Sequence, residues 1–246
     1  MKNYYETELK FGYQFAKKDG TFSVPFLYRL MQDCASLHLK EYYDSLEYLK
    51  SIGRAYLLTK ADMVLFKKAS AYSDLTVSTW ERSSGIAKIY RNYEIRDKDG
   101  LIAQASGTFA YVDLDTKRPL RVSEIAKRAE QCEKDVAAEH NFKIENFDGL
   151  SLVSSQTVVK DDTDFYGHMN NARYIDTVCG ALPEELEITR LKIDFKSECK
   201  IGDVIGLYVG SDGDDHYVTG KKQDGQISFA AKVSAEKPCG ERKAEE

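Results

Sequence analysis

An internal repeat is the feature that most constrains the fold of this 246-residue chain. In the first half, residues 7–17 alternate apolar and other side chains, which predicts a half-buried strand. Residues 25–43 place apolar side chains three and four positions apart after Ser23 and Pro25, which predicts a helix with one broad buried face. Strands are then predicted at 56–66, 75–82, 87–96 and 101–112.

The second half repeats the order of strand, helix and antiparallel strands. A strand is predicted at 151–159 and a helix from about Asn170 to Leu182, and four strands follow at 188–198, 204–210, 216–221 and 226–235. Single residues also match between the halves, with Asp19 at the position of Asp164 and Cys34 at that of Cys179. A duplicated α+β unit, with an antiparallel sheet against one helix, is therefore predicted.

The copies differ where ionisable side chains occur. At the offsets used for matching, Ser23 occupies the position of His168, and Ala69 occupies that of Glu198. Because both ionisable groups are missing from the first copy, we interpret them as a set that works together in the second.

The stretch 161–176 is the strongest candidate for a site. Asp164 and His168 lie on either side of a turn at Gly167, so a hydrogen bond from the imidazole to the carboxylate is expected. Backbone N–H groups of residues 169–171 are expected to be unpaired at the positive end of a helix, where they stabilise developing negative charge. The alternative is that Asn170 or Asn171 only caps the helix and that His168 is a surface residue.

Glu198 and Cys199 are competing candidates in the next predicted strand. Alternation places Cys199 with the apolar Ile193 and Phe195, whereas Glu198 belongs to the opposite face. Unless a bulge intervenes, the two side chains cannot enter one pocket. A buried cysteine is usually a packing residue, so we favour Glu198.

Four segments are predicted along the chain: 1–122, 123–149, 150–236 and 237–246. The first and third are the repeated units. The second is predicted to be a connector with a charged helix over 123–139, because Ser123 is placed to cap it. The last is charged and is expected to be mobile.

Composition narrows the class of protein. The five cysteines are odd in number and lack CxxC spacing, which favours reduced thiols in a cytoplasmic protein. They are Cys34, Cys132, Cys179, Cys199 and Cys239. The chain lacks an apolar run of ~18 residues, so no membrane partner is expected. A formal net charge of −5 indicates no binding to nucleic acid.

Two motifs resemble those of the acyl-acyl carrier protein (acyl-ACP) thioesterases of plants and bacteria, which are tandem hotdog folds. They are Asp164-x-x-x-His168-x-Asn170-Asn171-x-x-Tyr174 and Phe195-Lys-Ser-Glu-Cys199, and the resemblance covers nearly the whole chain. It implies Asp164, His168 and Glu198 as the catalytic set. Tyr166 departs from the pattern, because the plant enzymes have Asn there. Tyr166, Asn170, Asn171 and Cys199 are the further candidates.

The resemblance implies hydrolysis of a fatty acyl thioester to a free fatty acid and the carrier thiol, without metal or organic cofactor. The implied partner is the acyl carrier protein, and the chain is expected to be a monomer or homodimer. The first copy is the better candidate for holding the acyl chain, with packing in the hydrophobic core as the alternative for the apolar side chains of its helix. A basic cluster is a candidate for docking the carrier, with a solvated surface as the alternative. Its members are Lys117, Arg118, Arg121, Lys127 and Arg128.

Three rival functions remain open from the sequence. They are a coenzyme A thioesterase, a hotdog protein that binds acyl thioesters without cleaving them, and a hydratase or dehydratase of the same fold.

Overall fold

A computed structural model describes residues 3–82, 84–125 and 130–236. Contacts within the chain divide it into two compact units, Met1–Phe142 (unit 1) and Lys143–Glu246 (unit 2). Each unit has the predicted α+β composition, with one antiparallel sheet and one main helix. Lys127, Arg128, Cys239 and the charged tail 237–246 lie outside the described residues.

Unit 1 carries a five-stranded antiparallel sheet in the order β1-β3-β4-β5-β2. Its main helix, α1, begins after Ser23, whose hydroxyl accepts a hydrogen bond from the Phe26 N–H. Leu27, Met31 and Cys34 lie on the buried side of α1. The elements are β1 (Tyr5–Lys10), a 3-10 turn (Tyr13–Phe15), α1 (Val24–Tyr42), α2 (Leu46–Ser51), β2 (Arg54–Leu65), β3 (Asp74–Glu81), β4 (Lys88–Asp97), β5 (Gly100–Asp113) and a 3-10 turn (Val122–Glu124).

Unit 2 repeats this architecture with the sheet order β7-β10-β9-β8-β6. Its helix is only 10 residues long, against 19 in α1, and buries Tyr174, Ile175 and Val178. The elements are β6 (Ser151–Thr157), a 3-10 turn (Lys160–Asp162), α3 (Asn171–Gly180), β7 (Glu187–Phe195), β8 (Val204–Asp212), β9 (Asp215–Lys222) and β10 (Ile227–Glu236).

Two local predictions are wrong in unit 1. The first strand ends at Lys10 and not at residue 17, because the chain turns through the 3-10 turn at Tyr13–Phe15. The short helix α2 was not predicted, although Ser45 caps it by accepting the Tyr48 N–H. No helix in the described ranges is long and apolar enough to cross a membrane.

The predicted connector helix over 123–139 is also wrong in its described part. Only Val122–Glu124 form a 3-10 turn, and residues 130–142 run without helical structure in unit 1; we call this segment the strap. Its backbone bonds side chains of the sheet: the Trp80 indole donates to the Lys134 carbonyl at 2.9 Å, and the Glu139 N–H donates to Asp62 at 2.7 Å. Backbone groups of the strap are thus hydrogen-bonded to side chains of the sheet, and not to one another as in the predicted helix.

The strap covers a set of polar side chains that are buried on the sheet. Glu94, only 1% exposed, accepts hydrogen bonds from Gln104 at 2.8 Å and from Lys134 of the strap at 3.0 Å. Burial alone would raise the pKa of Glu94, but these bonds and one from Arg96 hold it below its usual value. The strap therefore supplies the partners that a buried carboxylate requires.

The loops that precede α1 and α3 have the same backbone hydrogen bonds. The Lys17 N–H donates to the Thr21 carbonyl at 2.7 Å, and the Asp164 N–H donates to the His168 carbonyl at 2.8 Å. Between these residues, Gly20 and Gly167 have φ angles of 79° and 80°, which glycine adopts without strain. Thr21 is therefore the counterpart of His168, so the match with Ser23 was out of register by two residues.

A second pair of bonds fixes the register after the strands. The Phe22 N–H donates to the Ala69 carbonyl, and the Met169 N–H donates to the Cys199 carbonyl, each at 2.8 Å. Ala69 is thus the counterpart of Cys199, and Lys68 is the counterpart of Glu198. The predicted match of Ala69 with Glu198 was out by one residue. The asymmetry itself persists, since unit 1 has Thr21 and Lys68 where unit 2 has His168 and Glu198.

Candidate active site

The loop that carries His168 is shaped by hydrogen bonds to Asp164. One carboxylate oxygen, Oδ1, accepts the N–H of Tyr166 at 2.8 Å and the N–H of His168 at 3.2 Å. Within the described chain neither Asp164 oxygen bonds the imidazole, so the expected carboxylate-to-ring bond is wrong. Asp164 instead fixes the backbone of residues 166 and 168, and thereby positions the imidazole ring.

His168 and Glu198 form the central contact of the site. His168 Nε2 lies 3.2 Å from Glu198 Oε2, and the two side chains are 16% and 33% exposed. A ring nitrogen and a carboxylate oxygen at this distance can share one proton. Their partial exposure means that a water molecule can reach both groups.

Glu198 and Cys199 point into different surroundings, although not through strand alternation. Strand β7 ends at Phe195, and the N–H groups of Lys196 and Ser197 both donate to the Ser228 carbonyl, which interrupts the ladder. Cys199 is fully buried, and its sulfur lies 2.9 Å from the Ser228 hydroxyl. The expectation that the two side chains separate agrees with this geometry.

Cys199 packs beneath the site against Tyr174 of α3. The Tyr174 hydroxyl accepts the Cys199 N–H at 3.1 Å. Burial, with the neighbouring Cys199 as a smaller cause, raises the pKa of Tyr174 well above its usual range. The phenol therefore remains protonated and positions the backbone next to Glu198.

The N-terminus of α3 offers fewer donors than the sequence suggested. The Met169 N–H bonds the Cys199 carbonyl, and the Asn170 N–H bonds the Asp162 carbonyl, each at 2.8 Å. The Asn170 side chain caps the helix by accepting the Ala172 N–H at 2.9 Å. Of the three expected donors, only the N–H of Asn171, the first residue of α3, lacks an acceptor among the described residues.

Tyr166 lies between Asp164 and His168 in this loop. Its ring meets the exposed Phe165 edge-to-face with 5.5 Å between centroids, and its hydroxyl is buried. The ring is thus half-buried beside the turn at Gly167.

Sequence reasoning did not single out Lys222 or Ser228, which support the segment that carries Glu198. Lys222 donates to the Glu198 carbonyl and lies 3.8 Å from Asp203, and the Ser228 carbonyl receives the two N–H groups described above. Both residues come from the distant strands β9 and β10, so no local signal could reveal them. Among the residues that the structure describes, no group of three His, Cys, Asp or Glu side chains is arranged to hold a metal ion.

Comparisons with known proteins place the chain in a family. The profile of the acyl-ACP thioesterase N-terminal domain matches residues 2–129, and that of the acyl-ACP thioesterase C-terminal domain matches residues 149–245. The chloroplastic oleoyl-acyl carrier protein thioesterase of Coriandrum sativum is 24% identical over 163 residues. That match spans 59% of this chain and 44% of the relative, so the chain spans less than half the length of the curated relative it matches.

Two solved structures share the fold. An acyl-ACP thioesterase from Bacteroides thetaiotaomicron superposes with a TM-score of 0.84 at 20% identity, over 95% of this chain and 98% of the other. The 12:0-ACP thioesterase from Umbellularia californica gives 0.80 at 17% identity, over 97% and 99% of the chains. The predicted double hotdog fold is therefore confirmed, and the chain belongs to the acyl-ACP thioesterase family.

Proposed function

We propose that this protein hydrolyses fatty acyl thioesters of acyl carrier protein, releasing a free fatty acid and the carrier thiol. The observation that carries the proposal is the 3.2 Å contact between His168 Nε2 and Glu198 Oε2, beside the N-terminus of α3. It supports a site that activates water next to a donor for negative charge. These are the two requirements of thioester hydrolysis.

In the proposed reaction, His168 and Glu198 together bind the attacking water. As the water oxygen bonds the acyl carbon, the pair takes up one proton from the water. The same proton passes to the sulfur as the carbon–sulfur bond breaks, so the pair ends in its starting state. The fatty acid gains the water's oxygen, and the carrier gains the thiol hydrogen. Asp164 keeps the ring in position through the backbone of residues 166 and 168.

The tetrahedral oxyanion requires a donor, and the Asn171 N–H is the best candidate. It is the one expected donor at the start of α3 without an acceptor in the described chain, and it lies at the positive end of that helix. Asn170 has a structural role, because its side chain oxygen accepts a hydrogen bond from the Ala172 N–H.

Cys199 is the weaker candidate for a nucleophile. Its sulfur is fully buried and contacts the Ser228 hydroxyl, and its N–H donates to the Tyr174 hydroxyl. A reactive thiolate needs an accessible, electropositive environment. Attack by the Glu198 carboxylate itself is the alternative that fits the same contact. It is tested by single turnover in H₂¹⁸O, because label appearing in the Glu198 peptide would indicate an anhydride.

The substrate's carrier is tested with matched thioesters. The protein is assayed with one series of acyl chains on acyl carrier protein and the same series on coenzyme A. We expect higher kcat/KM for the carrier-bound series. Equal or better turnover of the coenzyme A series would assign the protein to the coenzyme A thioesterases. Binding without turnover of either series would indicate a non-catalytic acyl-thioester protein, and water addition to an enoyl thioester would indicate a hydratase.

Carrier docking by the predicted basic cluster is a separate proposal. Lys117, Arg118 and Arg121 are exposed, which an interface with an acidic carrier requires. Charge reversal at Arg121 and Lys127 should raise KM for carrier-bound substrate and leave a small free thioester unaffected, with the effect shrinking at high salt. Equal effects on both substrates, or none on either, would return these residues to the solvated surface.

A further inference from the structure

Unit 1 exposes an aromatic cluster on the turns that correspond to those carrying the candidate site in unit 2. Tyr13, Phe15 and Tyr72 are 64%, 48% and 57% exposed; we call these three residues the aromatic patch. Tyr13 and Tyr72 meet edge-to-face with 5.1 Å between ring centroids. Phe15 stacks on Phe26 with centroids 5.5 Å apart. Large apolar side chains that gather at a surface usually mark an interaction site.

The fold does not require these aromatic rings. The Tyr72 N–H donates to the Phe11 carbonyl as the Gly202 N–H donates to the Val158 carbonyl, which extends the match between the two loops. By the same register, unit 2 has Lys160, Asp162 and Gly202 at the positions of Tyr13, Phe15 and Tyr72. The same backbone therefore forms with two charged residues and a glycine in place of the patch.

Tyr72 also has a backbone conformation that disfavours its side chain. Its φ angle is 63°, and its counterpart Gly202 has a φ of 90°. A tyrosine in this left-handed region is strained, whereas glycine is not. Unit 1 thus keeps an exposed ring at a position where the fold itself favours glycine.

The turns that carry the patch are rich in lysine. The turns that form it, residues 10–22 and 66–74, contain five lysines, two aspartates and no arginine. Asp74 pairs with Lys10 at 2.8 Å, and Asp97, which lies outside these turns, pairs with Lys67 at 2.6 Å. Lys18 has no acidic partner among the described residues. The matching turns of unit 2, 157–169 and 196–204, contain three lysines against five carboxylates. A net positive surface attracts an anionic partner and opposes symmetric pairing with the same patch of a second copy.

From this composition we infer that the aromatic patch docks unit 1 onto the surface of an anionic lipid bilayer. Tyrosine and phenylalanine rings lie among the lipid headgroups at the bilayer surface. Lysines extend their ammonium groups to the lipid phosphates. Protein interfaces, in contrast, are depleted of lysine and enriched in arginine. The expectation of no membrane partner rested on the lack of a spanning segment, which peripheral docking does not need.

Docking has a use that rests on the proposed function. The product of that function is a free fatty acid, which partitions into bilayers, so docking would shorten its path through water. The docking itself does not depend on catalysis. Vesicle binding therefore tests the surface separately, and His168→Ala should bind vesicles as the unaltered protein does.

The test is sedimentation of the full chain with vesicles of phosphatidylcholine alone or mixed with phosphatidylglycerol. We expect binding to the mixed vesicles at low salt, at least ~10-fold stronger than to neutral ones, and weaker at high salt. The triple variant Tyr13→Ser, Phe15→Ser, Tyr72→Gly should lower binding at least ~10-fold. Its glycine is the residue that the same turn uses in unit 2, so folding is retained.

Two matched controls separate the patch from general surface changes. Leu152→Ser with Val153→Ser removes two other exposed apolar side chains, 60% and 54% exposed, and should leave vesicle binding unchanged. Lys17→Glu with Lys18→Glu should weaken it, whereas Lys143→Glu with Lys200→Glu should not.

Three results would overturn the proposal. They are no binding to either vesicle, undiminished binding by the triple variant, and equal losses in the controls. If the triple variant leaves vesicle binding unchanged but raises KM for carrier-bound substrate, the patch binds the acidic carrier protein and not lipid.

Discussion

The loop before α1 and the loop before α3 share their backbone but not their chemistry. Each has a glycine with a φ near 80° and the same hydrogen bond across the turn, yet one carries Thr21 and the other His168. Lys68 and Glu198 differ in the same way after the strands. The shape of the loop is therefore set by backbone bonds and glycine, which leaves the side chains free to differ. Function must be sought in those side chains and not in the fold.

The largest effect is expected when His168 or Glu198 is removed from unit 2, with the corresponding residues of unit 1 as the control. His168→Ala and Glu198→Ala should each lower thioester turnover at least ~100-fold, the scale of general acid–base groups, without unfolding the protein. The counterparts Thr21→Ala and Lys68→Ala should retain turnover. Comparable losses from the two pairs would mean that unit 1 is not a degenerate copy.

Asp164 provides the next test, because Lys17 occupies its place in unit 1. Asp164→Asn keeps an oxygen that can accept the N–H groups of Tyr166 and His168, whereas Asp164→Ala keeps none. We expect about a 10-fold loss of kcat for alanine, about 1.4 kcal/mol of barrier, and little loss for asparagine. If both variants lose activity equally, the carboxylate charge and not loop shape is what matters.

His140 lies in the strap and should make unit 1 more sensitive to acid than unit 2. Burial, with a smaller contribution from Arg82, lowers the pKa of His140 from 6.5 to about 4, and His140 Nε2 lies 2.8 Å from the Asn92 side chain oxygen. The folded state thus binds fewer protons than the unfolded state between these values. Stability is full above pH ~6.5 and falls as the pH drops toward ~4.

Hydrogen exchange at pH 5 and pH 7 measures this difference, with rates corrected for intrinsic pH dependence. Residues 130–142, β4 and β5 should lose protection at pH 5, while β9 and β10 of unit 2 should not. His140→Gln retains a donor for Asn92 without titrating, so it should flatten the response. A uniform loss across both units would contradict the assignment to His140.

Tyr166→Phe should change kcat less than twofold, because the half-buried ring packs beside the turn. This position corresponds to Asp19 in unit 1, so neither unit has the asparagine of the plant enzymes. A tenfold loss of kcat at constant KM would place the hydroxyl in the transition state.

The smallest effect is expected for Cys199→Ala, whose counterpart in unit 1 is already Ala69. Turnover should stay close to that of the unaltered protein, with a modest loss of stability from the missing sulfur contact with Ser228. An inactive but folded Cys199→Ala protein, with Glu198→Ala active, would reverse the assignment of the two residues.

The order of elements could be predicted from the sequence because helix and strand periodicities recur in both halves. The register between the two halves could not be predicted, since matching Asp19 to Asp164 relied on residue identity. Asp19 also accepts a loop N–H, that of Thr21 at 3.0 Å, but it lies two residues after the true counterpart of Asp164. The strap was missed because its bonds come from buried side chains such as Asp62 and Trp80, which are distant in sequence. The donors of α3 were overcounted for the same reason, as their acceptors lie on other segments.

The strap also determines where the chain can be divided. A cut at residue 122, at the end of the sequence-defined unit, would remove the groups that bond Asp62, Trp80 and Glu94 and leave a buried carboxylate short of partners. A cut after Phe142 keeps those bonds, including the one from Lys60 to the Phe142 carbonyl. Truncations and domain exchanges should therefore join at residue 143, so that the strap stays with the unit it stabilises.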